Sequence, residues 1–218
     1  MTGIALAQKP IKVVLVGDST VNDEGGWGEG FRKSFRAPVE VINLAKNGRS
    51  SKSFRDEGLW DPAVAVRPDF ILIQFGHNDE PGKGPERETD PSTTYLANMT
   101  RYINEARSVG AQPILVTSIV RRNFDADGKI KRDRMVAYVA EVRKLAAEKN
   151  VPLIDLYALT LAQSEELGPA GSGILNAITR EGKPDTTHLS AAGRQKIGAI
   201  AAREFVRVSP ALKPYLRD

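Results

Sequence analysis

Lys12-Val13-Val14-Leu15-Val16-Gly17-Asp18-Ser19-Thr20 is the stretch on which the fold turns. Residues 13–16 are uninterrupted aliphatic side chains, a run of strand length that ends at a glycine. A strand that is apolar throughout, rather than alternating, is covered on both faces, which is the pattern of a parallel sheet between two layers of helices. Gly17-Asp18 then breaks the run, so the Ser19 hydroxyl is expected where a strand turns toward a helix. Backbone N–H groups at such a turn can face an oxyanion. On its own, Ser19 reads better as a helix N-cap, and only its partners elsewhere in the chain reverse that reading.

Outward from this stretch, strand-like runs recur at 12–16, 39–44, 69–75, 113–118 and 152–155. Residues 95–109, 133–149 and 190–207 carry apolar side chains at three- and four-residue spacing, and Ser190 suits the N-cap of the last segment. Alternating strands and helices predict an α/β fold in three layers, α/β/α, with a mostly parallel sheet of about five strands and helices on both faces. No repeat or interdomain linker interrupts the pattern. Residues 11–218 are read as one domain preceded by a tail, 1–10. The Pro- and Gly-rich stretch 80–91 follows a strand, which puts it at the carboxyl edge of the sheet, where ligands bind in open α/β folds.

Composition narrows the classes of function. With 41% hydrophobic and 27% charged residues in 218, the chain matches an ordinary globular protein rather than a disordered one. Its apolar runs fall far short of the roughly 20 residues that span a bilayer, so no membrane partner is expected. The absence of cysteine excludes disulfides, thiol nucleophiles and thiolate metal sites. A net charge of +4 favours an acidic partner, but the basic residues are dispersed except around 129–134, so no nucleic-acid partner is expected. Met1 to Gln8 ends in an Ala-x-Ala pattern without a basic start or a full apolar core. Two readings stand side by side: the remnant of an export signal, with a secreted or periplasmic protein, or an ordinary N-terminus, with a cytoplasmic one.

The chemistry-bearing residues fall at the ends of the predicted strands. Asp185-Thr186-Thr187-His188 sets a carboxylate three residues before one of only two histidines. An imidazole can take a proton from a serine when a carboxylate holds its other nitrogen, which makes Ser19, His188 and Asp185 a candidate catalytic set. Asn47-Gly48-Arg49-Ser50-Ser51 follows the second strand, and Gly76-His77-Asn78-Asp79 follows the third. Gly48 permits close backbone approach, and the Asn78 amide can be aimed at the same point. His77 is read as shaping its turn rather than as a reactant.

Four blocks in this order, Gly17-Asp18-Ser19-Thr20, Asn47-Gly48, Gly76-His77-Asn78-Asp79 and Asp185-Thr186-Thr187-His188, resemble the SGNH, or GDSL-type, hydrolases. The resemblance implies the flavodoxin-like fold of that family. It also implies Ser19 as nucleophile, His188 as base, Asp185 as its orienting partner, and an oxyanion hole built from Ser19, Gly48 and Asn78. Val16 to Val21, Gly26-Trp27-Gly28, Asn47 to Phe54, Gln74 to Asp79, Arg121-Arg122-Asn123-Phe124 and Asp185 to Ser190 are similar to the rhamnogalacturonan acetylesterase-like branch. That branch implies a carbohydrate esterase acting on acetylated oligo- or polysaccharide; the residue types call for no cofactor or metal, and the chain is expected to be a monomer.

Trp27, Arg49, Arg121 and Arg122 are candidate substrate-binding residues, the tryptophan by stacking on a sugar and the arginines by pairing with uronate carboxylates. Packing at a loop base is an equally good reading of Trp27, and an ordinary surface role is the better reading of at least one of Arg121 and Arg122. Loops 80–91 and 163–183 are expected to select the alcohol. Alternatives are another ester hydrolase on the same site (acetylxylan esterase, lysophospholipase or thioesterase) or a non-catalytic carbohydrate-binding protein.

Overall fold

In a computed structural model that describes residues 9–217, five parallel strands form one sheet. They are β1 (Ile11–Gly17), β2 (Val39–Asn43), β3 (Phe70–Gln74), β4 (Gln112–Val116) and β5 (Leu153–Ile154), in the order β2-β1-β3-β4-β5. Each expected strand is present within one or two residues of its predicted ends. The Ala-x-Ala segment at Met1 to Gln8 lies outside the described residues.

The apolar runs feed two cores because successive side chains of a strand point to opposite faces. Val14, Val16, Ile71, Ile73 and Leu115 pack with Phe54, Trp60, Tyr102 and Tyr138 on one face. This face is covered by α2 (Ser53–Asp56), α3 (Asp61–Ala65), α4 (Leu96–Ser108) and α5 (Met135–Glu148). Val13, Leu15, Leu72, Ile114 and Val116 pack on the other face with Trp27, which precedes α1 (Gly28–Lys33), with Phe31 of α1 and with Phe205 of α7 (Ala191–Val208). Helices α1 and α7 touch backbone to backbone: a Cβ on Gly198 would lie 2.3 Å from the Phe31 nitrogen. Ser190 caps α7 by accepting a hydrogen bond from the Gly193 N–H at 3.1 Å, as its residue type predicts.

Two expectations are corrected. Residues 163–183 are not one loop: α6 (Leu156–Gly173) occupies the first half, bent at Gly168, whose φ of 65° precedes Pro169. The remainder forms a short antiparallel hairpin of β6 (Asn176–Ile178) and β7 (Pro184–Leu189), which carries both Asp185 and His188. Nor does Ser19 cap a helix, because a turn separates β1 from α1. Strand order reverses between β1 and β3, and ligands of doubly wound folds bind in the crevice at such a switch point. Ser19 follows one of these strands and Asn78 the other.

Candidate active site

The turn bearing Ser19 is fixed by a chain of buried polar contacts. Asp18 accepts from the Thr20 N–H at 2.8 Å and the Thr20 hydroxyl at 2.7 Å through one carboxylate oxygen. Gln74, at the end of β3, donates to the Thr20 hydroxyl at 2.7 Å and accepts from Trp27 Nε1 at 2.9 Å. Trp27 is fully buried, its ring edge-on to Phe31 at 5.6 Å. The expectation that it stacks on a sugar is therefore corrected: its amphipathic ring is committed to the core and to the turn that bears Ser19.

On this turn the Ser19 hydroxyl lies 2.8 Å from His188 Nε2, and His188 Nδ1 lies 2.7 Å from Asp185 Oδ2. The other Asp185 oxygen accepts the backbone N–H groups of Thr187 at 2.9 Å and His188 at 3.0 Å, which locks the carboxylate against the ring. Burial pushes the Asp185 carboxyl up, but the His188 N–H, the imidazole and the Thr187 N–H outweigh it and hold the pKa below the ordinary range. An ionised Asp185 favours the tautomer with a proton on Nδ1, which leaves Nε2 free to accept the serine proton.

His188 is held from both sides. Leu189 donates its N–H to Gly25 at 2.8 Å, and the Arg122 N–H bonds Thr186 at 2.9 Å. The Arg122 guanidinium is buried: it donates to the His188 carbonyl at 2.6 Å and to the Asn176 side-chain oxygen. Burial brings its pKa down to about 10, with Asp185 opposing, so it stays charged at neutral pH.

The arginine expectations are corrected for a shared reason. Arg122 grips the histidine's backbone and is not offered to a uronate. Arg121 forms a two-pronged pair with Glu80 at 3.0 and 2.8 Å and also binds Asp133 at 2.7 Å. Arg49 is engaged with Glu57 at 2.7 and 2.9 Å and with the Asn47 carbonyl. Each guanidinium already has carboxylate or carbonyl partners.

A cleft of about 420 Å³ opens over Ser19 and is lined by Glu24, Gly25, Asn47, Gly48, Asn78 and His188. Gly48 has a φ of 74°, a left-handed conformation that favours glycine. Asn78 donates one amide hydrogen to the Arg49 carbonyl at 3.2 Å, which orients the group and leaves the second hydrogen for another acceptor. His77 is buried, and burial together with Arg121 holds its pKa well below the ordinary value, so the ring is neutral at pH 7. Among the described residues, no cluster of three or more His, Cys, Asp or Glu is arranged to hold a metal, and no helix is long and apolar enough to cross a membrane.

Sequence reading did not single out Asp79, although it ends the third block. It is fully buried and accepts from the Ser51 hydroxyl at 2.5 Å, the Ser51 N–H at 3.1 Å and the Thr89 hydroxyl at 2.9 Å. The segment after Gly48 is thereby tied to loop 80–91. Burial raises its pKa to about 7 against these hydrogen bonds.

Two outcomes are expected. Arg122→Met should keep the fold but lower kcat roughly 10- to 100-fold with little change in KM, because the imidazole loses its alignment; a parental kcat would show that Arg122 is dispensable for that alignment. Asp79 titrates near 3.8 when unfolded and near 7 when folded, so its contribution to stability is full below the first value and lost as pH rises through the second. Urea unfolding at about pH 5 and about pH 8 should therefore show the parent losing stability relative to Asp79→Asn at the higher pH. A difference that does not move with pH would mean that Asp79 is ionised in both states.

Comparison with known proteins agrees with this geometry. Residues 15–196 match the GDSL-like Lipase/Acylhydrolase family. The rhamnogalacturonan acetylesterase RhgT of Bacillus subtilis is 36% identical over 97% of this chain and 96% of its own. Among solved structures, YxiM of Bacillus subtilis superposes with a TM-score of 0.78 at 24% identity, covering 94% of this chain, which spans 58% of YxiM. A lipase/acylhydrolase from Enterococcus faecalis gives 0.66 at 24% identity over 94% of this chain and 99% of its own. These two likenesses concern the fold, whereas the family match and the RhgT identity establish that the chain belongs to the GDSL-like lipase/acylhydrolase family.

Proposed function

We propose that this ester hydrolase is a carbohydrate acetylesterase that removes O-acetyl groups from the pectic polysaccharide rhamnogalacturonan through an acetyl-Ser19 intermediate. The observation that carries the reading is the unbroken run of contacts from Ser19 through His188 to Asp185 beneath a small polar cleft. Its substrate side is supported by the 36% identity to a protein named as a rhamnogalacturonan acetylesterase. No large apolar side chain lines the cleft, which suits an acetyl group better than a long acyl chain.

In this reading His188 Nε2 takes the Ser19 proton as Oγ attacks the acetyl carbonyl. The oxyanion is met by the N–H groups of Ser19 and Gly48 and by the Asn78 amide. His188 then protonates the departing sugar oxygen, and the acetyl group remains on Ser19. Water enters, loses a proton to the same nitrogen and attacks the acyl-enzyme; acetate leaves and Ser19 regains its proton. Asp185 stays ionised throughout and stabilises the imidazolium formed in each half-reaction.

The test is acetate release from acetylated rhamnogalacturonan, acetylated xylan and 4-nitrophenyl acetate. The parent should prefer rhamnogalacturonan, Ser19→Ala should abolish release, and Asn78→Ala should lower kcat by roughly two to three orders of magnitude. Preference for xylan would move the substrate elsewhere in the polysaccharide class. Activity retained by Ser19→Ala would remove the nucleophile assignment.

A further inference from the structure

Loop 80–91 is fastened along its length. The Glu88 carboxylate accepts the N–H groups of Gly82 at 2.8 Å and Gly84 at 2.7 Å, and these bonds depress its pKa. Thr89 is bonded to Asp79 through both its N–H and its hydroxyl, and Tyr138 donates to the Thr89 carbonyl at 2.7 Å. Lys52 reaches across to the Glu86 carbonyl at 3.3 Å, joining the loop to the segment that follows Gly48. A loop held at this many points presents its outer side chains in a defined place and loses little entropy when a ligand arrives.

Arg87 is one of those side chains. A Cβ built on Gly48 would lie 4.0 Å from Arg87 Nη1, so the guanidinium stands beside Gly48, one of the residues that line the cleft. Its Nε pairs at 3.1 Å with the neighbouring Glu86, whose side chain is 64% exposed, a contact of small energetic weight. Its two terminal nitrogens donate to no group among the described residues, in contrast to the committed guanidiniums of Arg49, Arg121 and Arg122. Glu24 stands on the cleft's wall as well, so the lining carries a carboxylate while the cation sits at the Gly48 rim.

We infer that Arg87 is a specificity-determining residue that pairs with a uronate carboxylate of the bound polysaccharide. A guanidinium with two free nitrogens matches a carboxylate in two-pronged geometry, and a neutral sugar at that position would forgo the charge-assisted bonds. This inference rests on the carbohydrate acetylesterase reading and names the acidic group that the site selects.

Its test compares acetylated rhamnogalacturonan oligosaccharides with the same oligosaccharides after reduction of their uronate carboxylates to neutral alcohols, for the parent and for Arg87→Gln. The expected result is a KM for the acidic substrate raised roughly tenfold more by Arg87→Gln than the KM for the reduced one, with Arg87→Lys intermediate. A parent that deacetylates both substrates, with Arg87→Gln changing the two KM values equally, would overturn the role of Arg87 and leave the carbohydrate reading standing. A parent that hydrolyses 4-nitrophenyl acetate but neither oligosaccharide would overturn both.

Discussion

The 2.8 Å contact between Ser19 Oγ and His188 Nε2 joins residues 169 positions apart, and much of the structure serves to hold it. A single hydrogen bond contributes only about 1 kcal/mol net, too little to draw together a strand-end turn and a hairpin at opposite ends of the chain. The alignment is instead imposed by each partner's surroundings. Trp27, Gln74, Thr20 and Asp18 form the buried chain that fixes the serine turn. Gly25, Arg122 and Asp185 fix the histidine. The preorganised geometry is then available to chemistry without reorganisation during the reaction.

Sheet topology explains why these groups meet where they do. Parallel strands buried on both faces leave their carboxyl ends as the region where loops can present polar groups. The reversal of strand order between β1 and β3 opens a crevice that Ser19, Gly48 and Asn78 line. Helix α7 follows β7 directly and packs on α1, which docks the strand that bears His188 beside the serine turn. The buried Arg122 illustrates how such a site is reinforced: once its charge is desolvated, losing its carbonyl partner is costly, and that resists movement of the His188 backbone.

Much of this was legible in the sequence because the signals were local. Strands 12–16 and 69–75 declared themselves as apolar runs, and Asp185 to His188 as a spacing. The misreadings arose where a side chain's partner is remote. Trp27 is an amphipathic residue whose partner, Gln74, is 47 positions away, and Arg121 meets Glu80 across 41 positions. Arg122 reaches the His188 carbonyl across 66. Nothing in a run of residues distinguishes these from exposed groups awaiting a ligand. Residues 163–183 misled differently, because Gly168-Pro169 reads as a loop signal while tertiary packing carries a bent helix through it. Asp79 and Arg87 became visible only once the loop between them was seen folded against the segment that follows Gly48.

The central claim is that the contact from Ser19 to His188 makes Ser19 a nucleophile. The direct measurement is mass spectrometry of the protein after exposure to a 4-nitrophenyl phosphonate ester, alongside His188→Ala. The account predicts one phosphonyl group per chain, on the peptide containing Ser19, formed far more slowly in the variant. Labelling at another residue, or equal labelling of Ser19 with and without the imidazole, would contradict it.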